Sequence, residues 1–287
     1  MEISDKENDK NRKSLMKILP SYLESFERIR EWTDLGNWLQ RTAKALESYP
    51  TPHIPQRKQV AKRLSQCLND SLPIGIHKTT LSIYSLIFEQ LKNDRKLLSK
   101  NIHIYSFGLF PFFPKSSIQI KPEVLDIFRK YYLILELEMV TLLPGLLTAV
   151  LPALEEQDNA LQKLVFDFLA DVNKAVGDRF YIATLWLIIL KNSKNRLSCF
   201  KILNKKFGDL AAKSPSGFVV HENLNEEMKI VATGAFAIEG KPESLYPSPW
   251  MVVNGLIKCI EDEDLQVRKT TLDFMTKYAK LDNQLEQ

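Results

Sequence analysis

Six cations fall between positions 191 and 206 with no acid among them: Lys191, Lys194, Arg196, Lys201, Lys205 and Lys206. Lys201 and Lys205 are spaced so that a helix would place both on one outward face. Close to an anionic leaflet each such cation contributes roughly 1 kcal/mol, enough together for weak recruitment and too little for stable anchoring. The plainer alternative is a solvated helix face. A second cluster, Lys58, Lys62 and Arg63, lies at i, i+4 and i+5 and suits partner docking or phosphoinositide contact, again against the alternative of a solvated face. Tyr246 and Trp250 bracket Pro247 and Pro249, and aromatic side chains beside a long loop are the type that anchors a partner.

Groups that would do covalent chemistry are not arranged for it. The sequence has no glycine-rich phosphate loop, no HExxH pair and no nucleophile elbow. His77 shares no ligand spacing with His53, His103 or His221, so it reads as a structural histidine that bonds backbone or packs over a helix end. Cys67, Cys199 and Cys259 are far apart and odd in number, which suggests neither a disulfide framework nor a zinc site. Such thiols fit a reducing cytosol. The reading is therefore of a chain without catalytic residues, metal or cofactor.

The elements that carry these residues are helices by period. Of the 287 residues, 45% are hydrophobic and 26% charged, an ordinary globular balance, and the net charge of +4 is too small to argue for a nucleic acid partner. Val60, Leu64, Cys67 and Leu68 make one apolar stripe, and Leu81, Tyr84, Phe88 and Leu91 make another beyond Pro73, which suits a helix start. The two read as an antiparallel hairpin. Other helices are expected over 13–30, 35–49, 94–99, 102–113, 121–132, 139–154, 161–176, 180–190, 197–207, 219–231, 250–260 and 267–278. Trp32, Trp38 and Trp186 are expected in core rows, and Val253, Ile257 and Ile260, with Leu272, are expected to be buried in the last hairpin. That hairpin has an acidic corner at Glu261–Asp264 followed by Val267-Arg268, the order seen in HEAT repeats, where turn acids and an arginine pair along the stack. Hairpins recurring every 35 to 45 residues or so predict an all-α fold, an α-solenoid of stacked antiparallel helix pairs of the HEAT or armadillo kind.

Several segments together resemble the N-terminal domain of the Dopey family. They are Glu31-Trp32-x-Asp34-Leu35, then Lys62-Arg63-Leu64-x-Gln66-Cys67-Leu68 and Leu72-Pro73-x-Gly75-x-His77, then Tyr105-Ser106-x-Gly108-Leu109-Phe110-Pro111. Leu151-Pro152-x-Leu154-Glu155-Glu156, Phe180-Tyr181 with Leu185-Trp186, Arg196-Leu197 and Val267-x-x-x-Thr271-Leu272-Asp273 continue the match. Ile74, Ala153 and Ser82 depart from the family pattern at turns. The resemblance implies a non-catalytic scaffold of vesicle traffic, cytoplasmic and peripheral on Golgi, trans-Golgi network and endosome membranes. It implies as partner a large HEAT-repeat protein resembling an Arf exchange factor, with a functional link to a phospholipid flippase. Direct binding of phosphoinositide membranes through the basic segments is the alternative.

Family members are several times longer, so the resemblance places this chain at their N-terminal domain. Within it, positions 1–12 are expected to form a disordered tail and 13–287 a single helical-repeat domain, with a long loop at 234–249 rich in Gly and Pro.

Overall fold

The computed structural model describes residues 5–213 and 249–278. Among the described residues every regular element is helical. In order these are α1 (Asp5–Phe26), α2 (Trp32–Ser48), α3 (Arg57–Gln66), α4 (Ile74–Leu91), α5 (Arg95–Phe112), α6 (Lys121–Tyr131), α7 (Leu143–Val150), α8 (Asn159–Lys191), α9 (Arg196–Lys213), α10 (Pro249–Ile260) and α11 (Leu265–Tyr278), with short 3-10 segments between some of them. The chain separates into two compact units, Met1–Met139 and Val140–Gln287. The helix expected at 219–231 and the loop expected at 234–248, including Tyr246, lie outside the described residues.

In the first unit the neighbours in space are every second helix. The helices α1, α3 and α5 form one row and α2, α4 and α6 a second, with α1 on α2 and α4 on α5 joining the rows. The hairpin read from Val60–Leu91 is thus corrected in its packing: α3 lies chiefly on α5, and α4 on α2. The reason is burial. Helix α4 is apolar over most of its girth, with Ile76, Leu81, Ile83, Tyr84, Ile87, Phe88 and Leu91 all buried, and one neighbour cannot cover it. His77 ties the turn to its surroundings, its Nε2 lying 2.7 Å from the Asn69 carbonyl and its ring meeting Phe112 edge-on at 4.9 Å.

Three other expectations change here. Helix α1 begins at Asp5, so residues 5–12 are helical rather than a disordered tail. Asn11 explains why, because it is buried and its Nδ2 donates to the Pro50 carbonyl at 2.9 Å. Trp32 is 57% exposed as the first residue of α2, one turn short of the buried row Leu35, Trp38, Leu39 and Leu46. The segments 94–99 and 102–113 are one helix, α5, capped by the Asp94 carboxylate that accepts from Leu97 N at 3.0 Å.

The second unit repeats the alternation. Helix α8 breaks at Gly177, whose φ of 81° is open to glycine and strained for other residues, leaving segments 159–176 and 178–191. Helix α10 packs on α8, and α11 on α9. Trp186, Phe200, Phe207, Phe274 and Tyr278 form a connected ring cluster between them, with Trp186 to Phe274 at 6.2 Å and Phe200 to Phe274 at 5.4 Å. Among the described residues no single helix is long and apolar enough to cross a membrane.

Candidate functional site: cationic segments, an apolar stripe and a cleft

The fold divides the basic segment at 191–206. Arg196, at the start of α9, is turned inward: its Nε donates to the Ile189 carbonyl at 3.0 Å, its Nη1 to the Lys258 carbonyl at 3.2 Å, and it forms an ion pair with Asp262. Both side chains of that pair are nearly covered, at 11% and 9% exposure. Burial pushes the Asp262 carboxyl up, and hydrogen bonds from the Asp264 N–H and Arg196 outweigh it, so the net effect holds it below the ordinary carboxylate range. The pairing of arginine and turn acid expected along the stack is thus made by Arg196; Arg268 stays exposed.

Lys201 is also used internally, its Nζ donating to the Leu154 carbonyl at 3.0 Å, and Lys206 pairs with Asp178. Lys205 is exposed and lies over the Phe166 ring, 4.8 Å from its centroid. Only Lys191 and Lys194 of the six are exposed without an ion pair or ring contact among the described residues. In the other cluster Arg63 pairs with Glu27, sits 5.0 Å over the Phe26 ring and donates to Gln66 at 3.0 Å, fastening α3 to the end of α1. Lys58 and Lys62 remain exposed. Runs of like charge in the sequence therefore split into fold-holding and solvent-facing members: the first meet carbonyls or carboxylates of neighbouring elements, as Arg196 meets Ile189, Lys258 and Asp262 and Lys201 meets Leu154.

Trp250 is 68% exposed, and it heads a row of apolar side chains on α10 with Val253, Ile257 and Ile260 at 51%, 46% and 38%. Burial of the last three, expected from their period, is overturned. The opposite face, Gly255 and Cys259, goes inward because the Trp186 indole needs the room: a Cβ on Gly255 would stand 3.0 Å from its Cε3 atom. Leu272 on α11 is likewise 51% exposed, while Thr271 and Phe274 take the buried positions.

A cleft of about 680 Å³ that the sequence did not single out opens in the first unit, between α1, the proline-rich link 50–55 and the start of α3. Arg12, Arg57 and Lys58 line it together with Met16, Pro20 and Ile54, and no acid does. Its signal in the sequence was the conjunction of Pro50, Pro52 and Pro55, which read as an extended linker, with Arg57 and with Lys58, which read only within the Lys58, Lys62 and Arg63 cluster. Among the described residues no group of three or more His, Cys, Asp or Glu side chains is placed to hold a metal ion. The three thiols are buried, which pushes Cys67 up to about 12, Cys259 to about 11, and Cys199 higher still.

Comparison with known proteins agrees with the residue matches. The family model "Dopey, N-terminal" covers residues 9–287. Protein pad-1 of Caenorhabditis briggsae is 35% identical over 221 residues, 77% of this chain and 9% of that protein. Protein DOP1 of Saccharomyces cerevisiae is 23% identical over 303 residues, 98% of this chain and 18% of that protein, and DOP1B of Xenopus laevis is 26% identical over 278 residues, 96% and 11%. The chain thus spans less than a fifth of the length of these relatives. No solved structure matches it. A family match running through both compact units, in the order that the turn motifs and helix rows require, places the chain in the Dopey family as its N-terminal domain.

Proposed function

We propose that this domain is a non-catalytic scaffold module in vesicle traffic between endosomes and the Golgi. It docks a large HEAT-repeat partner resembling an Arf exchange factor, supports a phospholipid flippase, and works in the cytoplasm at the surface of Golgi and endosome membranes. The observation that carries this reading is the row Trp250, Val253, Ile257 and Ile260, left open at the spacing by which other helices of the chain bury against a neighbour. A helix of another repeat protein is the occupant that matches such a row in shape and chemistry. The traffic setting rests on the family.

The test is co-purification of the chain with N- and C-terminal fragments of that partner at low and physiological salt. One fragment is expected to be retained, and Ile257→Glu to weaken retention by about tenfold or more, since it removes about 1.5–3 kcal/mol of apolar burial and inserts a charge. Retention of no fragment, or equal retention of the variant, would count against the proposal.

A second reading, direct recognition of anionic lipid, is favoured by the exposure of Lys191, the last residue of α8, and of Lys194 in the 3-10 turn that follows it. At about 1 kcal/mol per cation, losing both is expected to reduce flotation with vesicles containing phosphatidylinositol 4-phosphate by roughly thirtyfold. Lys191→Glu/Lys194→Glu is the variant to use, because Lys201 holds the Leu154 carbonyl and its loss would disturb the fold. Unchanged flotation removes this reading.

A further inference from the structure

We propose that the cleft between α1 and the start of α3 is a docking groove for an extended acidic peptide carrying apolar side chains, a linear motif of a partner protein. This surface is independent of the α10 row and of the scaffold reading built on it. Its wall is rigid before any ligand arrives. Asn11 Nδ2 donates to the Pro50 carbonyl at 2.9 Å, Thr51 N donates to Gln90 Oε1 at 3.2 Å, and Gln90 Nε2 reaches the Leu46 carbonyl at 3.0 Å. The link 50–55 is therefore pinned to α1 and, through Gln90, to α4, which the same side chain ties to α2. At its end Gln56 takes a left-handed backbone, φ 50°, rare for a residue with a Cβ, which turns the chain sharply into α3 and sets Arg57 and Lys58 on the rim. Arg57 is oriented by the Asn101 Oδ1 atom at 2.8 Å, and Asn101 is itself buried. Such preorganisation lowers the entropy lost on binding.

The chemistry of the lining selects the occupant. Arg12 and Lys58 come from different helices, are exposed, and have no ion pair among the described residues; with Arg57 they give three positive charges and no acid around the cleft. Charge complementarity asks for an anion. Beside His53, Gln56, Gln59 and Asn101, which are polar, the lining includes Met16 at 54% exposure with Pro20 and Ile54, apolar surface that a phosphorylated headgroup would leave unused. An extended peptide uses both, setting carboxylates against the cations and an apolar side chain against the wall. The volume, about 680 Å³, lies in the range of ligand clefts and holds a few residues of such a peptide.

The experiment is fluorescence anisotropy of the whole chain with a labelled peptide of repeated Asp-Glu-Leu triplets, beside a peptide of the same charge with Ser in place of Leu. The Leu peptide is expected to bind, and the Ser peptide to bind at least about tenfold more weakly, as befits one or two buried leucines. Arg12→Glu/Lys58→Glu is expected to weaken the Leu peptide by about tenfold or more, an effect that added salt diminishes. Met16→Ser, which keeps every charge, should narrow the gap between the two peptides. All three side chains are exposed, so circular dichroism should match the parent. Equal affinity for both peptides, or unchanged affinity of the charge variant, overturns the proposal. So does capture of phosphatidylinositol 4-phosphate vesicles through Arg12 and Lys58 with no peptide binding, which would make the cleft a membrane site.

Discussion

Replacing Gly108 with alanine is expected to lower stability by about 2 kcal/mol, against the usual direction for a helix interior, where alanine is better than glycine by roughly 1 kcal/mol. Packing decides the sign. A Cβ at this position of α5 would collide with the Tyr84 hydroxyl and stand 2.9 Å from Ser65 Cβ and 3.2 Å from Ser65 Cα, so a ring on α4 and the backbone of α3 would both have to move. Tyr84 has no freedom to do so, being fully buried against Phe88 and Tyr105. Among the described residues its hydroxyl also lacks a hydrogen-bond partner, and burial drives its pKa well up. Tyr84→Phe alone should therefore be neutral or stabilising, and in that background Gly108→Ala should cost less than half as much. The remainder is the Ser65 contact. Urea unfolding followed by helical circular dichroism measures all four corners of the cycle. Equal cost of the alanine in both backgrounds would mean that the hydroxyl is not what excludes it.

Arg196→Met is expected to cost about 3–5 kcal/mol, because it strands a nearly covered Asp262 carboxylate and strips a donor from the Ile189 and Lys258 carbonyls. Removing both charges, Arg196→Met/Asp262→Leu, should recover much of the loss, since an apolar pair of similar volume is often as stable as a buried ion pair. The pH dependence has a definite sign. Asp262 is held below its ordinary value of 3.8, so in the acid range the unfolded chain binds the proton more readily than the folded one. The pair's contribution is then complete above that value and falls away as pH drops through the lower folded pKa. The gap in stability between parent and Arg196→Met should accordingly be widest near neutrality and shrink in acid. A gap that grows on acidification would refute the assignment.

Both sites show what a one-dimensional pattern conveys. Rows such as Leu35, Trp38, Leu39 and Leu46, or Val124, Leu125 and Phe128, announce their helices because periodicity is local. Part of the turn structure was readable too: the expected helices 161–176 and 180–190 leave a gap where α8 breaks at Gly177, and Asp158 caps α8 through Leu161 N at 2.8 Å. Partners across the fold were not. Arg196 and Asp262 are separated by 66 positions, and nothing in the spacing of six cations distinguishes Arg196 and Lys206, which meet carboxylates, from Lys191 and Lys194, left in water. Helix α10 was misjudged for a related reason. It is apolar on both faces, so its period cannot choose the buried one; the choice falls to Gly255, which alone lets the Trp186 indole approach. The cleft was hidden because its cations come from two helices and its wall from a segment with no period at all.

The central claim, that this domain works by offering the open face of α10 to another helical protein, is tested most directly by amide hydrogen exchange with and without the exchange-factor-like partner. Slowed exchange concentrated at 249–260, lost in Ile257→Glu while the rest of the chain exchanges as before, is the predicted footprint. Protection confined to other helices, with 249–260 exchanging at its free rate in the complex, would contradict it.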